Sequence, residues 1–172
     1  MFRSFWEATY VWLYSAISRP EARSVALARR AARRMAATSR QHRPGLWVVP
    51  APPQYGYDVT VQFLGRDRWV VCLVGADLVI ERDWVPRELA LRLLEENSRC
   101  AYGSFRLMEV EHGLAMVHAQ LCDSRLFSAA KLADIGQTLL EQYQRMLEQL
   151  YACDLIVPGP LSRETSSPAR RS

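Results

Sequence analysis

Lysine is nearly missing from this sequence: Lys131 is the only one, so every other basic residue is an arginine. Metal-binding cysteine spacing is missing as well. The four cysteines, Cys72, Cys100, Cys122 and Cys153, lie far apart with no C-x-x-C pair, which excludes a zinc ribbon and a thioredoxin-type redox site. Each sits beside apolar residues and reads as a buried free thiol acting as a small hydrophobe, which fits a reducing cytoplasm. The three histidines, His42, His112 and His118, fall in a linker, a hairpin turn and a strand, without H-E-x-x-H spacing, and no Gly-rich phosphate loop occurs. Glu111-His112 is a titratable pair, but neighbours in a tight turn point apart and lack a water-excluding pocket. His118 reads as a hydrogen-bonded residue on a strand face. The sequence therefore predicts no catalytic residue, no metal, no cofactor and no small-molecule substrate.

Long apolar runs are also absent. The stretch from Phe5 to Ile17 is aromatic and apolar, with Trp6, Tyr10, Trp12, Leu13 and Tyr14, but it contains Glu7 and falls short of the ~20 residues a bilayer span needs. A secretory signal would want a longer apolar centre and a small-residue cleavage site, and Ser18-Arg19-Pro20 supplies neither. An organelle transit peptide is the alternative reading of this Arg-rich, acid-poor start. The expected location is the cytoplasm.

What is present is an uneven charge layout. The chain has 172 residues, 49% hydrophobic and 23% charged, ordinary values for one domain with appendages. Its net charge of +4 divides sharply: positions 1–43 carry nine arginines against Glu7 and Glu21, net +7, whereas positions 44–156 carry ten basic and fifteen acidic residues, net −5. A basic arm precedes an acidic body. Such an arm contacts something anionic, and the candidates are nucleic acid, a membrane surface or the acidic body itself.

The arm, positions 1–44, reads as two helical pieces. Pro20 suits the first turn of the second, "PEARSVALARRAARRMAATSR". At about 100° per residue, Val25, Leu27, Ala28, Ala31, Ala32 and Met35 fill one side, while Arg23, Arg29, Arg30, Arg33, Arg34 and Arg40 fill the other. This amphipathic helix either packs its alanine face on the body with a solvated charged face outward, or uses the arginines to bind an anion.

"RPGLWVVPAPPQYG", with four prolines and two glycines, then marks a linker or irregular edge. The body, positions 45–156, follows. In "YDVTVQFL" Tyr57, Val59, Val61 and Phe63 alternate with Asp58, Thr60 and Gln62, the pattern of a strand with one wet face. "RWVVCLV" is apolar on both faces and predicts a central strand with something packed on each side. Gly75-Ala76-Asp77 reads as a turn into a third strand, "LVIE", which completes a meander. Asp83 and Pro86 announce a helix whose buried stripe is Leu89, Leu93 and Leu94. Asn97 and Gly103 bracket its exit, since both tolerate tight backbone geometry. "SFRLMEV" and "LAMVHAQL" form a hairpin around Glu111-His112-Gly113. Leu132, Ile135, Leu139, Tyr143, Met146, Leu147 and Leu150 then recur at helical spacing. Gly136 inside that helix costs about 1 kcal/mol relative to alanine, so a backbone or bulky side chain approaches there, from the sheet or a second subunit. The tail, positions 157–172, is rich in Ser, Pro and Arg and predicts disorder. The expected fold is α+β: a two-layer sandwich on an antiparallel sheet of about five strands (β-β-β-α-β-β-α), with an N-terminal helical arm.

The run from "WVVCLVGADLVI" through "ELALRLLEENSRCAYGSFRL" to "GLAMVHAQL" and "DIGQTLLEQYQRMLEQLYACDLI" resembles the YbjN-like group of the type III secretion chaperone-like superfamily, over roughly positions 57–154. The carrying pattern is the helix end "LLEEN" followed by the strand opening Gly103-Ser104-Phe105. The resemblance implies a small α+β protein, often dimeric, and the secretion chaperones among such proteins hold partner polypeptides on sheet and helix surfaces. It brings no catalytic residues, and the Arg-rich arm departs from it. Two functions follow. One is a protein-binding adaptor or chaperone-like homodimer, with Trp69, Trp84, Phe105 and Tyr143 as aromatic anchors for a partner polypeptide or as core residues. The other is an electrostatic tether in which Arg23, Arg29, Arg30, Arg33 and Arg34 grip nucleic acid or anionic membrane.

Overall fold

Alternation of buried and half-buried positions from Val59 to Gly65 sets the plan of the molecule, because one side of each strand must find apolar cover. A computed structural model describes residues 20–81, 85–110 and 113–156. Within them, helix α1 (Pro20–Met35) is followed by strands β1 (Arg40–Arg43), β2 (Leu46–Pro50), β3 (Val59–Arg66) and β4 (Trp69–Ile80). Helix α2 (Arg87–Arg99), strands β5 (Ser104–Val110) and β6 (Gly113–Asp123) and helix α3 (Ala129–Ala152) complete it. The six strands form one antiparallel sheet in the order β1-β2-β3-β4-β6-β5. The α+β two-layer architecture is as the sequence predicts. The aromatic stretch at positions 5–17, Asp83, Trp84, Glu111, His112 and the tail at 157–172 lie outside the described residues.

The strand inventory differs from expectation in two places. The Pro-rich linker contains two strands, β1 and β2, joined through Pro44-Gly45. Gly45 takes φ +78°, the left-handed position that follows proline in a type II turn. Gly75-Ala76-Asp77 is no turn either. It sits within the continuous twelve-residue β4, where the pairing with β6 slips between Gly75 and Val79, so the glycine marks a bulge.

All three helices lie on one side of the sheet. Leu132, Ile135, Leu139, Tyr143, Met146, Leu147 and Leu150 of α3 are buried against Val61, Phe63, Val70, Cys72, Val74 and Met116. Ser128 caps α3, its hydroxyl accepting from the Lys131 N–H at 3.2 Å. α1 buries Leu27, Ala28, Ala31 and Ala32 and comes close to the sheet because β3 carries Gly65. A Cβ at Gly65 would stand 2.5 Å from backbone atoms of Ser24 and Val25. Gly136 serves the same purpose on α3, where a Cβ would meet Phe63 and the Met35 sulfur at 2.7 Å. The sheet and a neighbouring helix both approach there. α2 lies beside β5 and buries Leu89 and Leu93, whereas Leu94, assigned above to the buried stripe, is 67% exposed.

The "LLEEN…GSF" pattern has a structural explanation. The Asn97 side chain donates to the Phe105 carbonyl at 3.0 Å and accepts from the Phe105 N–H at 2.6 Å, standing in for a paired strand along edge strand β5. Gly103 takes φ +73°, packed between Leu139 and His118, and its N–H donates to Gln120 Oε1. The motif ties the end of α2 to the sheet.

Candidate functional site

The same alternation that fills the helix side leaves the opposite face of the sheet largely apolar. Trp69, Val71 and Leu73 of β4, Ala115, Val117, Ala119 and Leu121 of β6, and Met108 and Val110 of β5 point there by register, together with the polar Thr60, Gln62 and Arg66 of β3 and Ser104 and exposed Arg106 of β5. Among the described residues no helix covers them. Leu121 is 53% exposed, Met108 45% and Val79 48%. A strand apolar on both faces predicts cover on both, and the described residues provide it on one.

The open face is not flat. Across its centre runs a hollow of ≈ 380 Å³ lined by Leu73, Gly75, Ala76, Met108, Val110, Ala115 and Val117, with Asp58, Thr60, Gln62 and Asp77 along one rim. Small residues form its floor and larger apolar ones its walls. The Asp77 carboxylate accepts from the Asp58 N–H at 2.8 Å, which fixes the acidic rim.

The bulge that shapes this hollow is held from the helix side. The Tyr143 hydroxyl accepts from the Ala76 N–H at 3.1 Å and donates to the Met116 carbonyl at 3.1 Å. It thus satisfies two backbone groups beside the slip in the β4–β6 pairing, as buried backbone demands. Burial pushes the Tyr143 phenol well above its ordinary range, so it stays a neutral donor.

Of the three aromatic candidates among the described residues, only Trp69 stands on the open face, half-buried, with the Arg68 guanidinium 4.5 Å from its ring. Phe105 is sealed in the core and stacks on the buried His118 at 4.1 Å with an 8° interplanar angle. Tyr143 is fully buried. Both are packing residues, which removes them from the partner-facing set, because their spacing on strand and helix points them into the core between sheet and helices. Trp84 lies outside the described residues. The open-face residues Leu121, Met108 and Val79 were missed; their signal was that β4 and β6 have apolar residues at both parities.

The arginines of α1 separate into kinds. Arg30 and Arg34 are exposed on the side turned away from the sheet. The Arg33 guanidinium lies 5.6 Å from the Trp47 ring. Arg23 donates to the Ser124 carbonyl at 2.9 Å, a docking contact. Arg29 is half-buried, and burial, with Arg33 and Arg30 adding to it, lowers its pKa. Exposed Arg40 and Arg43 of β1 carry further positive charge near this ridge. At the opposite end of acidity, Arg125 holds the Asp123 carboxylate at about 2, in a 2.7 Å ion pair that braces the exit from β6.

A second hollow, ≈ 330 Å³, lies between the end of β4, α2 and the chain after α3, lined by Tyr57, Leu78, Ile80, Leu89, Leu155 and Ile156 among others. Core side chains line much of it, with Glu81, Asp154 and the exposed Val79 beside them. Among the described residues no helix is long and apolar enough to cross a membrane.

No family model matches this sequence and no curated protein is significantly similar to it. Among solved structures, the chain is similar to YbjN from E. coli, described as a candidate transcription regulator, with 15% identity over 73% of this chain and 90% of that one and a TM-score of 0.54. The likeness reaches the YbjN-like part of the resemblance and not the wider type III secretion chaperone-like superfamily. What it shows is that the chain has a YbjN-like α+β fold.

Proposed function

We propose that this protein is a non-catalytic adaptor that holds a segment of a partner polypeptide on the open face of its sheet. The observation that carries the reading is the apolar face itself, which no helix covers among the described residues and which the bulge at Gly75–Val79 furrows. Contiguous exposed apolar surface with a polar rim marks interaction sites. The floor of small residues admits bulky apolar side chains, and Asp58 and Asp77 at the rim favour a basic residue beside them. The predicted ligand is an amphipathic segment with one apolar stripe.

The test is an array of 15-residue peptides in which amphipathic sequences are matched to scrambled versions of the same composition. The full chain binds the amphipathic set, and Met108→Glu with Leu121→Glu weakens binding about tenfold or more, since a buried unpaired charge costs at least 1.4 kcal/mol. Binding that ignores these substitutions, or no preference for amphipathic peptides, refutes the reading.

A second reading rests on the outward arginines of α1. Arg30, Arg33 and Arg34 would grip phosphates of nucleic acid or anionic lipid, with Arg23 and Arg29 held closer to the body. Such binding falls steeply with salt and shows little sequence preference. Arg30→Glu with Arg34→Glu should abolish retention on DNA or anionic vesicles at low salt; unchanged retention removes this function.

A further inference from the structure

The open face changes from end to end in both shape and charge, and the two gradients run along the same axis. We infer that its occupant is one helix of about 17 residues in a partner polypeptide, with a basic and a bulky apolar residue together at one end and an acidic and a small residue together at the other. This selectivity rests on the function proposed above, since it specifies which segments that site accepts.

The face of a sheet offers side chains and no free backbone groups, so a segment laid across it must satisfy its own N–H and C=O groups. A helix does so and an extended segment does not. Asp58, just before β3, and Arg66, at its end, mark the two ends of the face. The eight steps between them extend ~26 Å at about 3.3 Å each, which a helix of about 17 residues spans at 1.5 Å per residue. Near Asp58 the ≈ 380 Å³ hollow is floored by Gly75 and Ala115, so bulky side chains fit there. Towards Arg66 the face rises: Val71 stands opposite Leu121, which is 53% exposed, and Trp69 follows at the start of β4. Small residues suit that end, where a helix backbone must come close.

Charge follows the same axis. Asp58 and Asp77 rim the hollow, joined by the 2.8 Å bond from the Asp58 N–H to the Asp77 carboxylate. Arg106, on this face of β5, donates from Nε to the Ser104 hydroxyl at 3.0 Å, which turns it along its strand and away from that rim. At the other end Arg66 is exposed and the Arg68 guanidinium lies 4.5 Å from the Trp69 ring. Asp67 stands 3.9 Å from Arg66, and Asp123 is shared by Arg68 at 3.8 Å and Arg125 at 2.7 Å. Three cations there meet two anions, so that end is basic. A helix with its acidic residue at the bulky end satisfies shape or charge, never both, whichever way round it docks.

The experiment uses two fluorescein-labelled helical peptides of about 17 residues and identical composition, with phenylalanine and leucine in one half of the apolar stripe and alanine in the other. The first carries lysine beside the bulky half and glutamate beside the small half; the second has these two charges exchanged. An exposed ion pair changes affinity about twofold, and exchanging attraction for repulsion at both ends counts that factor four times. The full chain should therefore bind the first peptide roughly tenfold more tightly at low salt, with the preference shrinking in about 0.5 M NaCl. The Asp58→Arg, Arg66→Glu variant should prefer the second peptide. Asp58 gives its backbone N–H to the bond with Asp77 and Arg66 is exposed, so both substitutions leave the fold intact.

Equal binding of the two peptides, or a preference that the double variant leaves in place, overturns the inference while the proposed function stands. Binding of neither peptide refutes the function as well. Leu121→Glu should weaken both peptides, and unchanged binding in that variant places them elsewhere and overturns the inference. Sedimentation of the unliganded chain as a dimer that Leu121→Glu dissociates and neither peptide displaces assigns the face to a second copy. Flotation with phosphatidylcholine–phosphatidylglycerol vesicles that Leu121→Glu abolishes assigns it to a lipid surface, and either result overturns the inference.

Discussion

Replacing Tyr143 by phenylalanine removes one oxygen atom and tests how the bulge in β4 is maintained. The ring is fully buried beside Phe105, so phenylalanine preserves the packing and the loss is confined to two hydrogen bonds. Those bonds serve the Ala76 N–H and the Met116 carbonyl, each at 3.1 Å. A net hydrogen bond contributes about 0.5–1.5 kcal/mol, and a buried group left without a partner costs about 1–3 kcal/mol. The Ala76 bond is only part-buried, so water can partly replace the phenol there, but the Met116 bond is buried. The two contributions together place the loss at about 2–3 kcal/mol, most of it from the Met116 carbonyl. With a urea m-value of about 2 kcal/mol per molar, the unfolding midpoint should fall by roughly 1 M at constant m. A shift below about 0.3 M would refute the claim that the hydroxyl holds the bulge. Peptide binding on the open face should weaken with it, because the hollow is shaped by the same slip.

Gly65→Ala and Gly136→Ala form a second comparison. At Gly65 the new Cβ meets helix backbone at 2.5 Å, which cannot yield like a side-chain tip, so about 2–3 kcal/mol is lost and tryptic cleavage within α1 accelerates. At Gly136 the Met35 thioether can move aside, but the fully buried Phe63 ring at the same 2.7 Å must shift as well, which offsets the helix propensity of about 1 kcal/mol that alanine gains. Side-chain atoms yield more readily than helix backbone, so that variant is the milder, and the reverse order in urea denaturation would contradict the packing described. His118 supplies a pH signature. Burial depresses its pKa below the ordinary imidazole value of 6.5, the Leu139 carbonyl opposing, so the folded protein refuses a proton that the unfolded chain accepts. Stability is therefore whole above about pH 6.5 and declines below it by at most about 1.4 kcal/mol per pH unit. His118→Gln flattens that slope in urea titrations between pH 7 and pH 5, and an unchanged slope would show that other groups set it.

Legibility of the fold followed periodicity. The stripe from Leu132 to Leu150, the buried parity of Val59, Val61 and Phe63, and the close approach at Gly136 were readable because each is a local pattern with a single physical solution. β1 and β2 were not readable in the same way. Their four- and five-residue lengths give too few alternations, and the prolines around them outweigh the "LWVV" run, although Pro44-Gly45 was a usable turn signal. The Gly75-Ala76-Asp77 bulge has the composition of a turn, and only the length of the β6 partner separates the two. The candidate site was legible in part. Apolar residues at both parities of β4 pointed to two covered faces, but sequence alone could not tell that the aromatic candidates Phe105 and Tyr143 meet in the core between sheet and helices while Leu121 and Met108 face outward.

The charge division between arm and body acquires a geometric meaning from the docking of α1. Attraction between a +7 arm and a −5 body suggests contact through ion pairs, yet α1 is seated by Ala28, Ala31 and Ala32 and by the cleft at Gly65. Its arginine contact with the body at Ser124 is to a backbone carbonyl. Packing of small residues fixes the helix by shape, and shape dictates that Arg30 and Arg34 face outward on the helix side. The open apolar face lies on the other side of the sheet. The two surfaces are thus separated by the full thickness of the sandwich, so a polypeptide on one and an anionic surface on the other do not compete for space. An adaptor that also tethers is then one molecule using both layers: Met108→Glu should leave salt-sensitive anion binding intact, Arg34→Glu should leave peptide binding intact, and loss of both activities by either substitution would show that the surfaces are not independent.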